Sequence, residues 1–352
     1  MNRGSDERPE PLNVRDYERL AREAMHPAAW AYYSAGAGDE VTLRRERDAF
    51  EKLLLVPRVL RGVDHADTSA SVLGAPIRAP IMVAPTGVQG LAHPEGECAT
   101  ARGAGEAGTL MAVSTVSSRR LEDVAAAATG PLWFQLYVYE GARPFAETLV
   151  RRAERAGYGA IVLTVDAPRW GRKERFLRVE DELPPGASAV SIEEELGEEA
   201  REPAALTPED VAWLRSSTGL PIVLKGILHP EDAALAVEHG VEGVVVSTHG
   251  GRQLDGVPAS VEALPAVVEA VAGRAEVYMD GGIRRGTDVL KALALGARAV
   301  FVGRPVLWGL AADGAAGVGR VLEMLREELE LAMILAGLPD LESVGPDLAR
   351  KG

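Results

Sequence analysis

Eight short segments rich in apolar and β-branched residues are strung along this chain, most of them separated by a helix-sized stretch, and that rhythm limits the fold more than any other feature. They are IMVAP from Ile81, LMAVST from Leu110, LWFQLYV from Leu132, AIVLTVD from Ala160, PIVLKG from Pro221, GVVVSTH from Gly243, EVYMDGG from Glu276 and AVFVGRP from Ala299. Several are entered through the same turn, visible in AERAGYGAIVL, AVEHGVEGVVV and ALALGARAVFV. In each, a glycine after the helix takes the left-handed cap conformation that a Cβ disfavours. Nearly continuous apolar strands alternating with helices predict a parallel sheet covered on its outer face, and about eight such units close into an α/β fold of the (β/α)8 TIM-barrel type. A doubly wound open sheet is the competing architecture, and it accommodates fewer strands. The expected organisation is an N-terminal helical segment over residues 1–75, packed on a barrel over residues 76–345. After the fourth strand an excursion at about 176–207, containing DELPPGASAVSIEEELGEEAREPAAL, reads from its Pro, Gly and Glu content as a long, acidic, solvated loop above the barrel mouth.

Charge and composition restrict the partners. Lys and Arg total 38 against 52 Asp and Glu, a net charge of −14, which repels nucleic acid and anionic membrane. An anionic small substrate therefore needs a local basic site. The lone cysteine, Cys98, excludes an internal disulfide and sits among small helical residues as packing. The opening MNRGSDERPEP has no apolar export core, and no apolar run approaches the roughly 20 residues of a membrane span. A soluble, cytoplasmic protein is expected, with no membrane partner and no metal site. GAGEAG, Gly103 to Gly108, matches the dinucleotide pattern G-x-G-x-x-G, but a helix precedes it and a strand follows. A phosphate there would meet the wrong end of the helix dipole, so a nicotinamide site is rejected.

In a barrel the chemistry gathers at the carboxyl ends of the strands. Those ends carry Pro85, Thr86 and Gly87; Ser114; Gln135 and Tyr137; Thr164 and Asp166; Lys225; Thr248, His249 and Arg252; Asp280, Gly281 and Gly282; and Gly303 and Arg304. The loops DGGIRRGTDVL and VGRPVLWGL join glycines to Arg284 and Arg304, the composition of a phosphate site. Lys225 ends PIVLKG in apolar surroundings, so its ammonium should face an anion or an electron-rich ring.

The motifs SAGAGDE, FQLYVY, LTVDAPRWGRKE, LKGIL, STHGGRQLDG, DGGIRRGTDVLKALALGARAVFVGRP and MLREELELAMILAG run in this order from about Leu12 to about Val344. Together they resemble the FMN-dependent α-hydroxy-acid oxidase and dehydrogenase family, whose members oxidise glycolate, lactate or mandelate. The resemblance implies FMN as cofactor and oxidation of an (S)-2-hydroxy acid to the 2-oxo acid, with electrons passing to oxygen or another acceptor. It assigns His249 as the base, removing either the α-carbon or the hydroxyl proton, and Asp166 as the carboxylate that stabilises the imidazolium. Arg252 becomes the carboxylate clamp, with Tyr32 and Tyr137 reaching the same substrate. Lys225 is placed beside the flavin ring; Thr86, Ser114, Gln135 and Thr164 on the ring and ribityl chain; Gly282, Arg284, Gly303 and Arg304 at the phosphate; and Pro85, Gly87, Thr248 and Asp280 also fall in the cofactor site. A homotetramer or octamer is implied as well.

The chain departs from the family pattern at three places. Thr248 stands where the family usually has Asn, Lys173 where it has a second active-site Arg, and Val116 where many members carry an aromatic, which enlarges the pocket in favour of a bulkier acid. Two competing readings remain: a non-redox FMN barrel isomerase, and a flavin-binding barrel with impaired turnover.

Overall fold

Each of the eight apolar segments becomes a strand, and the sheet closes on itself. The computed structural model describes residues 10–197 and 202–352. The barrel strands are β1 (Ile81–Val83), β2 (Met111–Ser114), β3 (Leu132–Leu136), β4 (Ile161–Thr164), β5 (Ile222–Ile227), β6 (Gly243–Val246), β7 (Glu276–Asp280) and β8 (Ala299–Val302). All neighbours are parallel, and the ring runs β1 to β8 in sequence order before β8 returns to β1. A helix follows every strand: Glu97–Glu106, Leu121–Ala127, Arg143–Arg155, Pro208–Ser217, Pro230–Glu238, Ser260–Val271, Gly286–Ala294 and Arg304–Ala336, the last broken at Asp313 and Gly314. The glycines of GAGEAG serve packing: a Cβ on Gly103 would lie 2.4 Å from the Ala315 carbonyl.

Period-two alternation then sorts the side chains into layers. Met82, Ala112, Trp133, Val162, Val223, Val245, Tyr278 and Phe301, one from each strand, share an inner cluster. Their chain neighbours Val83, Val113, Phe134, Leu163, Leu224, Val246, Met279 and Val302 join the outer core beneath the helices. Trp133 meets Tyr278 and Phe301 edge to face at 5.6 and 6.1 Å, closing the barrel floor. The hairpin Ala70–Val72/Ala75–Ile77 completes that floor through Val72 and Ile77, so the plug uses chain on both sides of residue 75.

Two residues beyond the floor, six strands place polar side chains inward: Ser114, Gln135, Thr164, Lys225, Ser247 and Asp280. Burying them is tolerable because they bond one another. Ser114 Oγ donates to Gln135 Oε1 at 3.0 Å, Gln135 Nε2 to Thr164 Oγ1 at 3.0 Å, and Lys225 Nζ to Ser247 Oγ at 3.0 Å while pairing Asp280 Oδ2 at 3.1 Å.

Three helices precede the barrel, α1 (Val14–Ala24), α2 (Pro27–Ser34) and α3 (Val41–Glu51). The N-terminus of α3 is capped from a distance by Asp255, whose carboxylate accepts the Val41 and Thr42 N–H groups at 3.2 and 2.7 Å. The acidic excursion is more ordered than its composition suggests. Within its described residues it forms the helix Val190–Leu196, buries Ser191 and packs Leu183, Ala187 and Ile192 on the core; residues 198–201 lie outside the described residues. Among the described residues, no helix is long and apolar enough to cross a membrane.

Candidate active site

A second step of two residues along the strand directions brings Thr86, Val116, Tyr137, Asp166, His249 and Gly282 to the carboxyl end of the barrel, where all but Asp166 line a cavity of about 600 Å³. His249 stands there on an unusual backbone. It takes φ +58, followed by Gly250 at +65 and Gly251 at +71, a run of three left-handed residues that turns the chain sharply out of β6. A non-glycine residue in that region costs about 1–3 kcal/mol, so surrounding bonds must hold it. Ser247 Oγ accepts the His249 N–H at 3.0 Å and Thr248 Oγ1 accepts that of Gly251 at 3.1 Å. Gly251 is also compulsory on space, since a Cβ would lie 2.8 Å from the backbone of Leu43.

The imidazole is held from both sides. Its Nδ1 lies 3.0 Å from Asp166 Oδ1 and its Nε2 lies 3.2 Å from the Tyr137 hydroxyl. An ionised carboxylate only accepts, so Nδ1 carries the hydrogen and Nε2 keeps its lone pair toward the cavity. Burial holds the imidazole below its ordinary value, against the opposing pull of Asp166. Although burial opposes it, the His249 charge and hydrogen bond keep Asp166 below the usual carboxylate range. Burial, and then the Asp166 charge, push Tyr137 well above the ordinary phenol, so it stays a neutral donor. Gln253 fastens the loops beneath this pair: its amide donates to the Asp166 and Arg169 carbonyls at 3.1 and 3.0 Å and accepts the Gly171 N–H at 2.9 Å.

Four of the cations that line the same cavity have no acidic partner among the described residues. Arg252 donates through Nη1 to the carbonyls of Tyr32 and Ala35 at 2.7 and 3.0 Å, and its guanidinium lies 5.2 Å from the Tyr32 ring centroid. Its other guanidinium nitrogens face no acceptor among the described residues. Lys173 Nζ sits 5.8 Å from the Trp170 ring, held down to about 8 by burial and by Arg252. Arg304 donates to the Tyr33 and Gly250 carbonyls at 2.9 and 3.0 Å. Burial, followed by Arg252 and Arg284, lowers it to about 9. Arg284 stacks 4.7 Å over Trp308 and is lowered to about 10 by burial and then by Arg47. Like charges gathered in one partly desolvated place, in a chain of net charge −14, describe a receptor for anions.

Of the residues expected from the sequence, Tyr32, Pro85, Thr86, Gly87, Ser114, Tyr137, Lys173, Lys225, His249, Arg252, Asp280, Gly282, Arg284, Gly303 and Arg304 line this cavity. Gln135, Thr164 and Asp166 lie behind its wall: Gln135 bonds Ser114 and Asp166 bonds His249, both of which line it, and Thr164 bonds Gln135. Lys225 does face an anion, Asp280. Thr248 is placed differently from the expectation. It follows inward-facing Ser247 by one residue, so its hydroxyl turns outward and donates to Glu46 Oε1 at 2.6 Å. Ser247 is the residue that reading overlooked at this strand end. The apolar wall of Tyr139, Trp170, Phe176, Leu177 and Ile192 was also not foreseen, because its members come from loops whose path no periodicity dictates.

Comparison with known proteins finds relatives along nearly the whole chain. Residues 21–351 match the family model described as FMN-dependent dehydrogenase. The chain is 48% identical to an L-lactate oxidase of Nostoc sp., over 95% of this chain and 96% of the relative. It is likewise 48% identical to a glycolate oxidase of Spinacia oleracea, over 95% and 94%. Among solved structures, mandelate oxidase with (S)-2-phenylpropionate superposes with a TM-score of 0.91 at 44% identity, covering 97% of this chain and 99% of that one.

Proposed function

This chain belongs to the FMN-dependent dehydrogenase family, and from that premise we propose that it oxidises an (S)-2-hydroxy acid to the 2-oxo acid, with electrons passed on to oxygen or another acceptor. The observation that carries this reading is the convergence of the His249–Asp166 pair with Arg252 on one cavity. The residues present suit FMN. Arg284 and Arg304, partly desolvated and without carboxylate partners among the described residues, provide charge for its phosphate, and Thr86, Ser114 and Lys225 provide hydrogen-bonding groups along the cavity wall. When bound, FMN supplies the two-electron acceptor for the carbon being oxidised.

The chain's own residues do the rest. The unengaged edge of Arg252 takes the substrate carboxylate, with Lys173 as a second cation and Tyr32 packed against the guanidinium. Tyr137 donates to an oxygen of the same substrate. His249 Nε2 accepts the proton, and Asp166 stabilises the resulting imidazolium. The apolar wall of Val116, Trp170, Phe176, Leu177 and Ile192 suits an acid bulkier than glycolate. Assembly as a homotetramer or octamer and a cytoplasmic location complete the proposal.

Anaerobic mixing of the FMN-loaded protein with short, branched and aromatic (S)-2-hydroxy acids should bleach the yellow colour, and air should restore it. A flavin that none of these acids bleaches would refute the reading. Lys173 gives a finer expectation. It loses its charge as pH rises through about 8, so kcat/KM should fall there, and Lys173→Arg, charged throughout that range, should remove the fall. Identical alkaline limbs in the two proteins would show that Lys173 does not meet the substrate.

A further inference from the structure

Glu46 is a buried acid that the chemistry above leaves unused. It projects from α3 into the seam between the loops that follow β6 and β7, and only 2% of it is exposed. Its two carboxyl oxygens are in unequal surroundings. Oε1 accepts three hydrogen bonds, from Thr248 Oγ1 at 2.6 Å, Ser260 N at 3.0 Å and Ser260 Oγ at 2.9 Å. Oε2 is buried and has no partner among the described residues. An ionised carboxylate carries charge on both oxygens, and leaving one bare in the interior is costly. A neutral carboxyl fits the pattern, with its acceptor oxygen among donors and its O–H on the other side.

That hydroxyl needs an acceptor. The carboxyl group packs on the turn that ends β7, where a Cβ on Gly281 would lie 2.6 Å from Oε2 and 2.8 Å from Oε1. The preceding residue, Asp280, pairs Lys225 through Oδ2 at 3.1 Å, yet its Oδ1 is buried and unpartnered too. We propose that Glu46 is a positioning residue that keeps its proton on Oε2 and donates it to Asp280 Oδ1, so that one neutral acid ties the His249 loop to the Lys225–Asp280 pair under the cavity.

This arrangement satisfies both orphaned oxygens at once and leaves the Glu46–Asp280–Lys225 group with no net charge. Of the groups that face Glu46, the Thr248 and Ser260 donors and the Arg284 guanidinium favour its ionised form, while burial and the Asp280 anion oppose it and prevail. Burial, with Asp280 adding to it, raises the Glu46 carboxyl to about 7. The Thr248 departure from the family pattern thereby acquires a role, since its hydroxyl donates to Glu46 and accepts the Gly251 N–H, joining Glu46 to the His249 loop.

The test is the melting temperature of FMN-loaded wild type and Glu46→Gln across pH. Glutamine reproduces the pattern, with a carbonyl among the donors and an N–H toward Asp280, but does not titrate. Below the ordinary value of 4.5 Glu46 is protonated in both folded and unfolded chains, and its contribution to stability is fully present. As pH rises to about 7 the unfolded chain ionises first, so that contribution is progressively lost. The Tm of wild type relative to Glu46→Gln should therefore drop by several degrees between pH 4.5 and 7 and stay level on either side. Parallel curves would overturn the proposal. Should the variant fail to fold, infrared spectroscopy of the wild-type holoenzyme decides: a carboxylic-acid carbonyl band persisting at pH 6 and fading as pH passes about 7 supports it, and no such band overturns it. Neither measurement reads turnover, so both stand apart from the identity of the hydroxy acid.

Discussion

His249→Ala is expected to lower turnover by about 10²- to 10⁴-fold, the usual contribution of a positioned general base, while the protein keeps its yellow FMN. The two effects separate because the groups assigned to the cofactor lie on other strands. Lys225 lies on β5, Thr86 follows β1, and Arg284 and Arg304 follow β7 and β8. Alanine inherits the left-handed backbone at φ +58, but the Ser247 Oγ bond to its N–H, the two glycines that follow and the Thr248–Glu46 link remain to hold the loop. Flavin absorbance with stopped-flow reduction by a 2-hydroxy acid checks both parts. Undiminished reduction would place the base elsewhere, and loss of the flavin would make His249 a structural residue. In the wild type, an imidazole held below its ordinary value is already neutral at pH 7, so kcat/KM should rise with pH below that point and level off before neutrality.

The barrel was legible because one rule operates on all eight strands. Apolar runs of four to six residues, each followed by polar or glycine residues, gave both the closed sheet and its functional end. The same rule, applied one step further, separates the two neighbours Ser247 and Thr248. Counting in twos from Val245 reaches Ser247 and then His249, all inward, whereas Thr248 falls on the other parity and binds Glu46. Likewise Trp133, Gln135 and Tyr137 form one ladder, and Val162, Thr164 and Asp166 another, which is why Tyr137, Asp166 and His249 meet at one level. Reading strand ends without parity collected all of them together with Thr248. Other parts were not legible. The contact between α3 and the β6–β7 seam joins residues more than 200 positions apart, from Glu46 to Thr248 and Ser260, and no local pattern encodes it. The helix in the acidic excursion was likewise hidden, because its single buried face rests on tertiary contacts rather than composition.

Asp166→Asn should also cost about 10²- to 10⁴-fold in turnover, and for a different reason from His249→Ala. Asparagine keeps the shape, and β5 leaves it little room to swing: a Cβ on Gly226, at φ +113, would lie 2.5 Å from the Asp166 Cγ. What disappears is the negative charge 3.0 Å from Nδ1. If the amide oxygen faces the ring, the correct tautomer survives but the imidazolium formed on proton abstraction loses its counter-ion. If the amide nitrogen faces it, Nδ1 becomes the acceptor and the hydrogen moves to Nε2, where no base remains. Both outcomes reduce the chemical step, and neither touches Arg252 or Lys173, so the loss should fall on kcat with KM changed little. The pH profile supplies the second sign. Asp166 opposes the effect of burial on His249, so without it the imidazole moves further down, and the acid limb of kcat/KM should shift to lower pH even as its plateau drops. A limb that moves upward, or a loss confined to KM, would mean that Asp166 serves the substrate directly and that His249 works without a carboxylate behind it.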